Sequence, residues 1–267
     1  MNLIVPIDFS EQSRSAAEFA ASMSRLHGGN LHLVHVLVPI DDEPEYLPLK
    51  AMDVKYNTVF EMYALQEKLR KTYDVRTSCD LVPGDITEQI ISAARRTKAD
   101  LIIMGNQGNS GLRKHLYGSH STSVMDTSPV PVLTLPEGFV FNELRRMVYA
   151  TDYSYSNLAD IKGIADIARM FDAVISLIHV KKNSINSMEN SRYDFEELIR
   201  ANVDYDNISF DACDNTDTAE GLSKLLRAQH ADVLIIPNRR RSLAEKTPGR
   251  TESEAFVFDL DIPLLVY

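Results

Sequence analysis

The sequence predicts an α/β protein made of two tandem copies of one domain, each a mostly parallel sheet with helices on both faces. Three observations carry this. Short continuous apolar runs, among them IVPI at 4–7, LHLVHV at 31–36, LIIM at 101–104 and VLII at 233–236, alternate with amphipathic stretches; strands buried on both faces of a parallel sheet read this way. Residues 4–36 overlay residues 148–180 without a gap, placing Asp8 on Asp152, Ser10 on Ser154, Ala21 on Ala165, Arg25 on Arg169 and His35-Val36 on His179-Val180. Residues 85–108 overlay 217–240 in a second block, matching Asp85, Glu88, Ala99, Asp100, Ile103 and Asn106 with Asp217, Glu220, Ala231, Asp232, Ile235 and Asn238, and the same register carries Pro131 onto Pro263. A repeat of this length fixes the architecture before any single element is assigned.

The elements of the first half follow in order. Residues 2–7 form a strand, and Ser10 is suited to cap a helix over 11–27 that Gly28-Gly29 would stop. Ala16, Ala17, Phe19, Ala20, Met23 and Leu26 give that helix its apolar side. Residues 31–38 are the second strand. The stretch 39–52, with three prolines and several acids, reads as a loop. A helix over 54–72 turns Val59, Met62, Leu65 and Leu69 inward. A third strand near 75–82, a turn at Pro83-Gly84-Asp85, a helix over 86–97, a fourth strand at 100–104, a short helix near 119–127 and the strand PVLTL complete the half. The domains are expected at 1–138 and 145–267, joined through 136–146, and the second half repeats the plan through PLLVY at 263–267.

Composition bounds the function classes. Among 267 residues, 44% are hydrophobic and 25% charged, as in an ordinary globular protein. A formal net charge of -10 argues against a general nucleic-acid or anionic-membrane binder. No apolar run approaches the ~20 residues of a membrane span. The N-terminus lacks a signal-peptide pattern, so the chain reads as cytoplasmic. Cys79 and Cys213, one per half, suggest neither zinc spacing nor a disulfide framework and read as reduced thiols.

Ligands of such sheets lie beyond the carboxyl ends of strands where strand order reverses. Pro6-Ile7-Asp8 and the loop after Met104 are the candidate segments. That loop runs Gly105, two residues, Gly108, nine residues, then Gly118-Ser119. Glycines let backbone approach a phosphate closely, consecutive loop amides form an anion-binding concavity, and the helix opening at Gly118-Ser119 adds free amides and a favourable dipole. Ser119, Ser121 and Thr122 supply hydroxyls, and Arg113 and Lys114 supply charge. A ligand-free, glycine-rich surface loop is the plain alternative. Neither GxxxxGK[ST] nor a GxGxxG after the first strand occurs. In the second half Pro237, Arg240, Arg250 and Thr251 stand at the aligned loop positions. Proline offers no amide hydrogen and arginine blocks close approach, so that half is not expected to bind nucleotide in the same manner.

Asp8, the His35-Val36 strand end and G-2x-G-9x-G-S after Met104 resemble the universal stress protein family, across both halves. The resemblance implies the adenine nucleotide alpha hydrolase-like fold, with strand order 3-2-1-4-5. It implies ATP, ADP or AMP, with Mg as accompanying ion, over the ends of the first and fourth strands. Pro6, Asp8 and Val36 would face adenine or ribose, with Met104 and Gly105 near the ribose. Gly108, Gly118, Ser119 and Ser121 would hold phosphates; Arg113 and His120 complete the binding set. It further implies pairing of domains through their fifth strands, here as an intramolecular pseudo-dimer, with a homodimer as the other arrangement.

Simpler roles compete. Asp8 is also placed to cap the turn before the first helix, and His35 and His179 suit a structural role. His115 and His120 match no metal spacing. No Ser/His/Asp or paired-carboxylate arrangement is legible. A phosphate cradle without an evident base or nucleophile favours a regulatory nucleotide binder. A slow ATP hydrolase or self-phosphorylating protein and a nucleotide-free interaction module remain the alternatives.

Overall fold

In the computed structural model the first strand, β1 (Asn2–Pro6), is buried along its middle three residues and pairs in parallel on both sides. The structure describes residues 1–38, 48–106, 119–139, 144–151, 153, 157–181, 188–214, 218–238 and 261–267. The chain divides into two units, Met1–Gly138 and Phe139–Tyr267.

In the first unit β1 is followed by α1 (Glu11–His27), β2 (Asn30–Leu37), α2 (Pro48–Tyr73), β3 (Arg76–Pro83), α3 (Ile86–Thr97), β4 (Leu101–Gly105), α4 (Ser119–Thr127) and β5 (Val132–Leu135). Its strands lie in the order β3-β2-β1-β4-β5, all parallel. β3 is therefore the outermost strand on one side. The core is Ile4, Val5, Leu31, Leu33, Ile102 and Ile103 under Ala17, Ala20 and Met23 of α1 and Met62, Leu65 and Leu69 of α2.

Local chemistry accounts for the helix ends. Ser10, in extended backbone, accepts the Ser13 amide through Oγ, and Gly28 closes α1 at φ 67. Asp85 caps α3 by accepting the Glu88 amide at 2.9 Å. Three expectations need correction. α2 begins at Pro48, six residues before the expected start at 54. Proline is at home in a first helical turn, where its missing amide costs no intrahelical bond. Leu26 is 59% exposed and is not part of the apolar face. Arg25 and Gly28 beside it are exposed too, whereas His27 of the same turn is half-buried, so Leu26 lies on the solvent side of the last turn. Val59 is only half-buried.

The second unit contains β6 (Arg146–Ala150), α5 (Leu158–Phe171), β7 (Val174–Lys181), α6 (Met188–Asn202), β8 (Ile208–Asp214), α7 (Thr218–Ala228), β9 (Val233–Ile236) and β10 (Leu264–Val266). Its order, β8-β7-β6-β9-β10, is the order of the first unit. Left-handed backbone recurs at aligned positions: Phe9 at φ 63 and Tyr153 at 61, Lys98 at 50 and His230 at 49, Gly28 at 67 and Asp172 at 48. Aromatic residues rarely adopt this conformation, so its recurrence after both β1 and β6 marks a turn that the surroundings enforce.

Candidate functional site

Parallel pairing brings the carboxyl ends of β1, β2 and β4 together. Pro6 stands beside Val34 in the β1–β2 ladder, and the Ile7 amide donates to the Val34 carbonyl at 2.8 Å. His35 closes this end from β2: its Nδ1 lies 2.6 Å from the Ile7 carbonyl, and its ring packs at a tilt against Phe9, with centroids 4.9 Å apart. A carbonyl only accepts, so Nδ1 carries the proton. The second unit repeats the device, with His179 Nδ1 at 2.8 Å from the Thr151 carbonyl and its ring 4.6 Å from Tyr153. Both histidines thus clasp the turn after the central strand. Burial raises the Tyr153 phenol above its ordinary pKa.

Asp8 sits in that turn. Its Oδ1 accepts the Ser10 amide at 3.0 Å and the Ser10 hydroxyl at 2.5 Å. Ser10 is itself the cap of α1, so Asp8 braces the cap. Arg14 donates to the Phe9 carbonyl at 3.3 Å and lies over the Phe9 ring at 5.6 Å.

β4 supplies the facing side. Met104 is 7% exposed, and Gly105 is buried beside Leu135 of β5. Ser121 is 5% exposed and donates its hydroxyl to the Gly105 carbonyl at 3.2 Å, tying the first turn of α4 to the end of β4. The Asn106 amide continues the ladder to the Leu135 carbonyl at 3.0 Å. Its side-chain Oδ1 is buried without a partner among the described residues. An orphaned buried acceptor at the mouth of a sheet favours a ligand that brings a donor.

Of the expected binding residues, Pro6, Asp8, Met104, Gly105 and Ser121 therefore occupy one end of the sheet. Val36 is half-buried near the end of β2, paired with Val82. His120 is exposed in the first turn of α4, and Ser119 begins that helix. Gly108, Arg113 and Gly118 lie outside the described residues, as do Asp152, Ser154 and the second-half loop from 239 to 260. Asn106 is the residue of this sheet end that sequence reasoning did not single out, although its repeat as Asn238 was visible. Among the described residues no group of three or more His, Cys, Asp and Glu is placed to hold a metal ion. No described helix is long and apolar enough to cross a membrane.

Comparison with known proteins agrees with this architecture. A family model described as the universal stress protein family matches residues 1–136. A universal stress protein of Thermus aquaticus is 31% identical over 133 residues, covering 49% of this chain and 95% of the relative. A universal stress protein of Methanocaldococcus jannaschii is 26% identical over 141 residues, or 50% of this chain and 80% of the relative. The crystal structure of a universal stress protein from Archaeoglobus fulgidus has the same fold, with a TM-score of 0.75 at 17% identity over 99% of this chain and 95% of that one. The chain belongs to the universal stress protein family.

Proposed function

We propose that the first unit binds an adenine nucleotide, ATP foremost, and that its occupancy is a regulatory signal in a stress response. The observation that carries this reading is the convergence at one sheet end of the Pro6–Asp8 turn, the Met104-Gly105 backbone, the start of α4 and the unpartnered Asn106 Oδ1. Pro6, Asp8, Val36 and Met104 would hold adenine and ribose, whose hydroxyl and amino groups are the donors Asn106 calls for. Gly105 would lie near the ribose, and Gly108, Gly118 and Ser119, with Arg113 and His120, would hold the phosphates and any accompanying Mg. Ser121 would support them by fixing α4 to Gly105. The second unit, with Pro237 and Arg250 in place of Gly105 and Gly118, would not bind nucleotide in this manner.

Denaturing the purified protein and analysing the supernatant for released nucleotide tests the reading, together with calorimetric titration of ATP, ADP and AMP. One nucleotide per chain is expected. Gly118→Arg, which copies Arg250, should abolish binding while leaving the circular dichroism spectrum unchanged. Absence of both retained and added nucleotide from the wild type would overturn it.

A further inference from the structure

A second chemical cluster lies on β2 and β3. Ser78 Oγ is 2.7 Å from His32 Nδ1, and His32 Nε2 is 2.9 Å from Asp80 Oδ2. Arg96, in the last turn of α3, donates to the same carboxylate oxygen. The placement follows from register. His32 stands beside Ser78 in the parallel β2–β3 ladder, and Asp80 is two residues further along β3, on the same face. One imidazole therefore spans both side chains.

This is the arrangement that makes a serine nucleophilic: a hydroxyl against a base, with the base oriented by a third group. A carboxylate only accepts, so His32 Nε2 holds the ring proton and Nδ1 is the bare acceptor facing the Ser78 hydroxyl. Access is graded in the useful sense. The His32 side chain is 12% exposed and the Asp80 side chain 33%, whereas Ser78 is open to solvent. The Gly84 amide donates to the Leu37 carbonyl on β2. Alternation along β3 then directs the Ser78 amide toward β2 and the Cys79 amide toward the open edge.

We propose that Ser78 is an acyl-accepting nucleophile, with His32 as its general base, acting on esters with short acyl chains. Ser78 Oγ attacks the ester carbonyl carbon as its proton passes to His32 Nδ1. The tetrahedral adduct collapses, the bond to the alcohol oxygen breaks, and the imidazolium returns the proton to the departing alcohol. Water, deprotonated by the same nitrogen, then hydrolyses the acyl-serine to a carboxylic acid and free Ser78. Asp80 and Arg96 are positioning residues that act through His32. Short chains suit a serine on an open strand edge.

The second unit provides an internal control. Ser176 replaces the histidine beside Ser209, the two hydroxyls lie 2.9 Å apart, and Asp211 takes a bond from Gln229 at 2.9 Å. Serine and aspartate persist there in direct contact, Ser209 Oγ donating to Asp211 Oδ2 at 3.5 Å, with Ser176 rather than an imidazole at the position of His32.

The test treats the full-length protein with an alkyl fluorophosphonate, which phosphonylates an activated serine with loss of fluoride, and maps the adduct by peptide mass spectrometry. Hydrolysis of p-nitrophenyl acetate is followed in parallel. An adduct on Ser78 and none on Ser209 is expected. Ser78→Ala should remove it, and His32→Gln should slow labelling by about 100-fold, the worth of a general base. Asp80→Asn should slow it less, with partial recovery in Asp80→Glu. Circular dichroism melts confirm that each variant is folded. No adduct on Ser78, equal labelling of Ser209, or wild-type labelling in a folded His32→Gln would overturn the proposal.

Discussion

Replacing Ser10 with alanine tests how the turn after β1 is held. Ser10 is 6% exposed, and its hydroxyl serves two partners: it accepts the Ser13 amide at 3.2 Å and donates to Asp8 Oδ1 at 2.5 Å. Loss of the cap costs about 1 kcal/mol. Loss of the bond to a carboxylate adds about 1.5 kcal/mol. The sum, about 2.5 kcal/mol, lowers the melting temperature by about 5–10 °C at the two to four degrees per kcal/mol usual for this size. Asp8→Ala removes the same bond from the other side, so the two substitutions are expected to be non-additive by about 1 kcal/mol. Urea unfolding of the full chain followed by far-ultraviolet circular dichroism measures each corner of the cycle. Hydrogen exchange at the Ser13 amide assigns the loss to the first turn of α1. Additive effects would show that Asp8 does not brace the cap, and the reading of that turn would fail.

Three further outcomes are expected. Gly29→Ala should cost about 1–3 kcal/mol, the range for overpacking, because its Cβ would lie 2.5 Å from the Met1 carbonyl oxygen. Gly28→Ala, with open space around it but φ at 67, should cost only the left-handed penalty of about 1 kcal/mol; chemical denaturation compares the two. Burial lowers the pKa of His27 from 6.5, so the unfolded chain binds its proton first. The corresponding stability is whole above about pH 6.5 and is lost as the pH falls through that value; the slope of stability against pH in this window should flatten in His27→Gln. Burial, and then the neighbouring Asp80 charge, raise the Cys79 thiol, so iodoacetamide should alkylate it several-fold more slowly than a free thiol at pH 8.

The sheet and its helices were legible because apolar runs and periodic faces are local signals. Met62, Leu65 and Leu69 showed the inward side of α2, and Gly28 the end of α1. The start of α2 was obscured because Pro39, Pro44 and Pro48 look alike in sequence; Pro48 opens the helix, and the other two lie outside the described residues. Asp8 stood out, but either role suited it; the bonds from Ser10 establish the bracing one. The His32–Ser78 contact had no signature, since the two residues are 46 positions apart and meet only through the register of β2 against β3. Sequence spacing carries no information about such cross-strand neighbours until the strand order is known.

The outermost position of β3 has a consequence for behaviour at high concentration. A strand with one unmatched flank invites templated addition of foreign chains. Here the run Arg76, Thr77, Ser78, Cys79, Asp80 interrupts the flank with charge and hydroxyls, and Pro83 ends it without a hydrogen to offer. Those residues make the flank a poor seed for fibrils, so solubility and the reactive cluster would be served by one short stretch of chain.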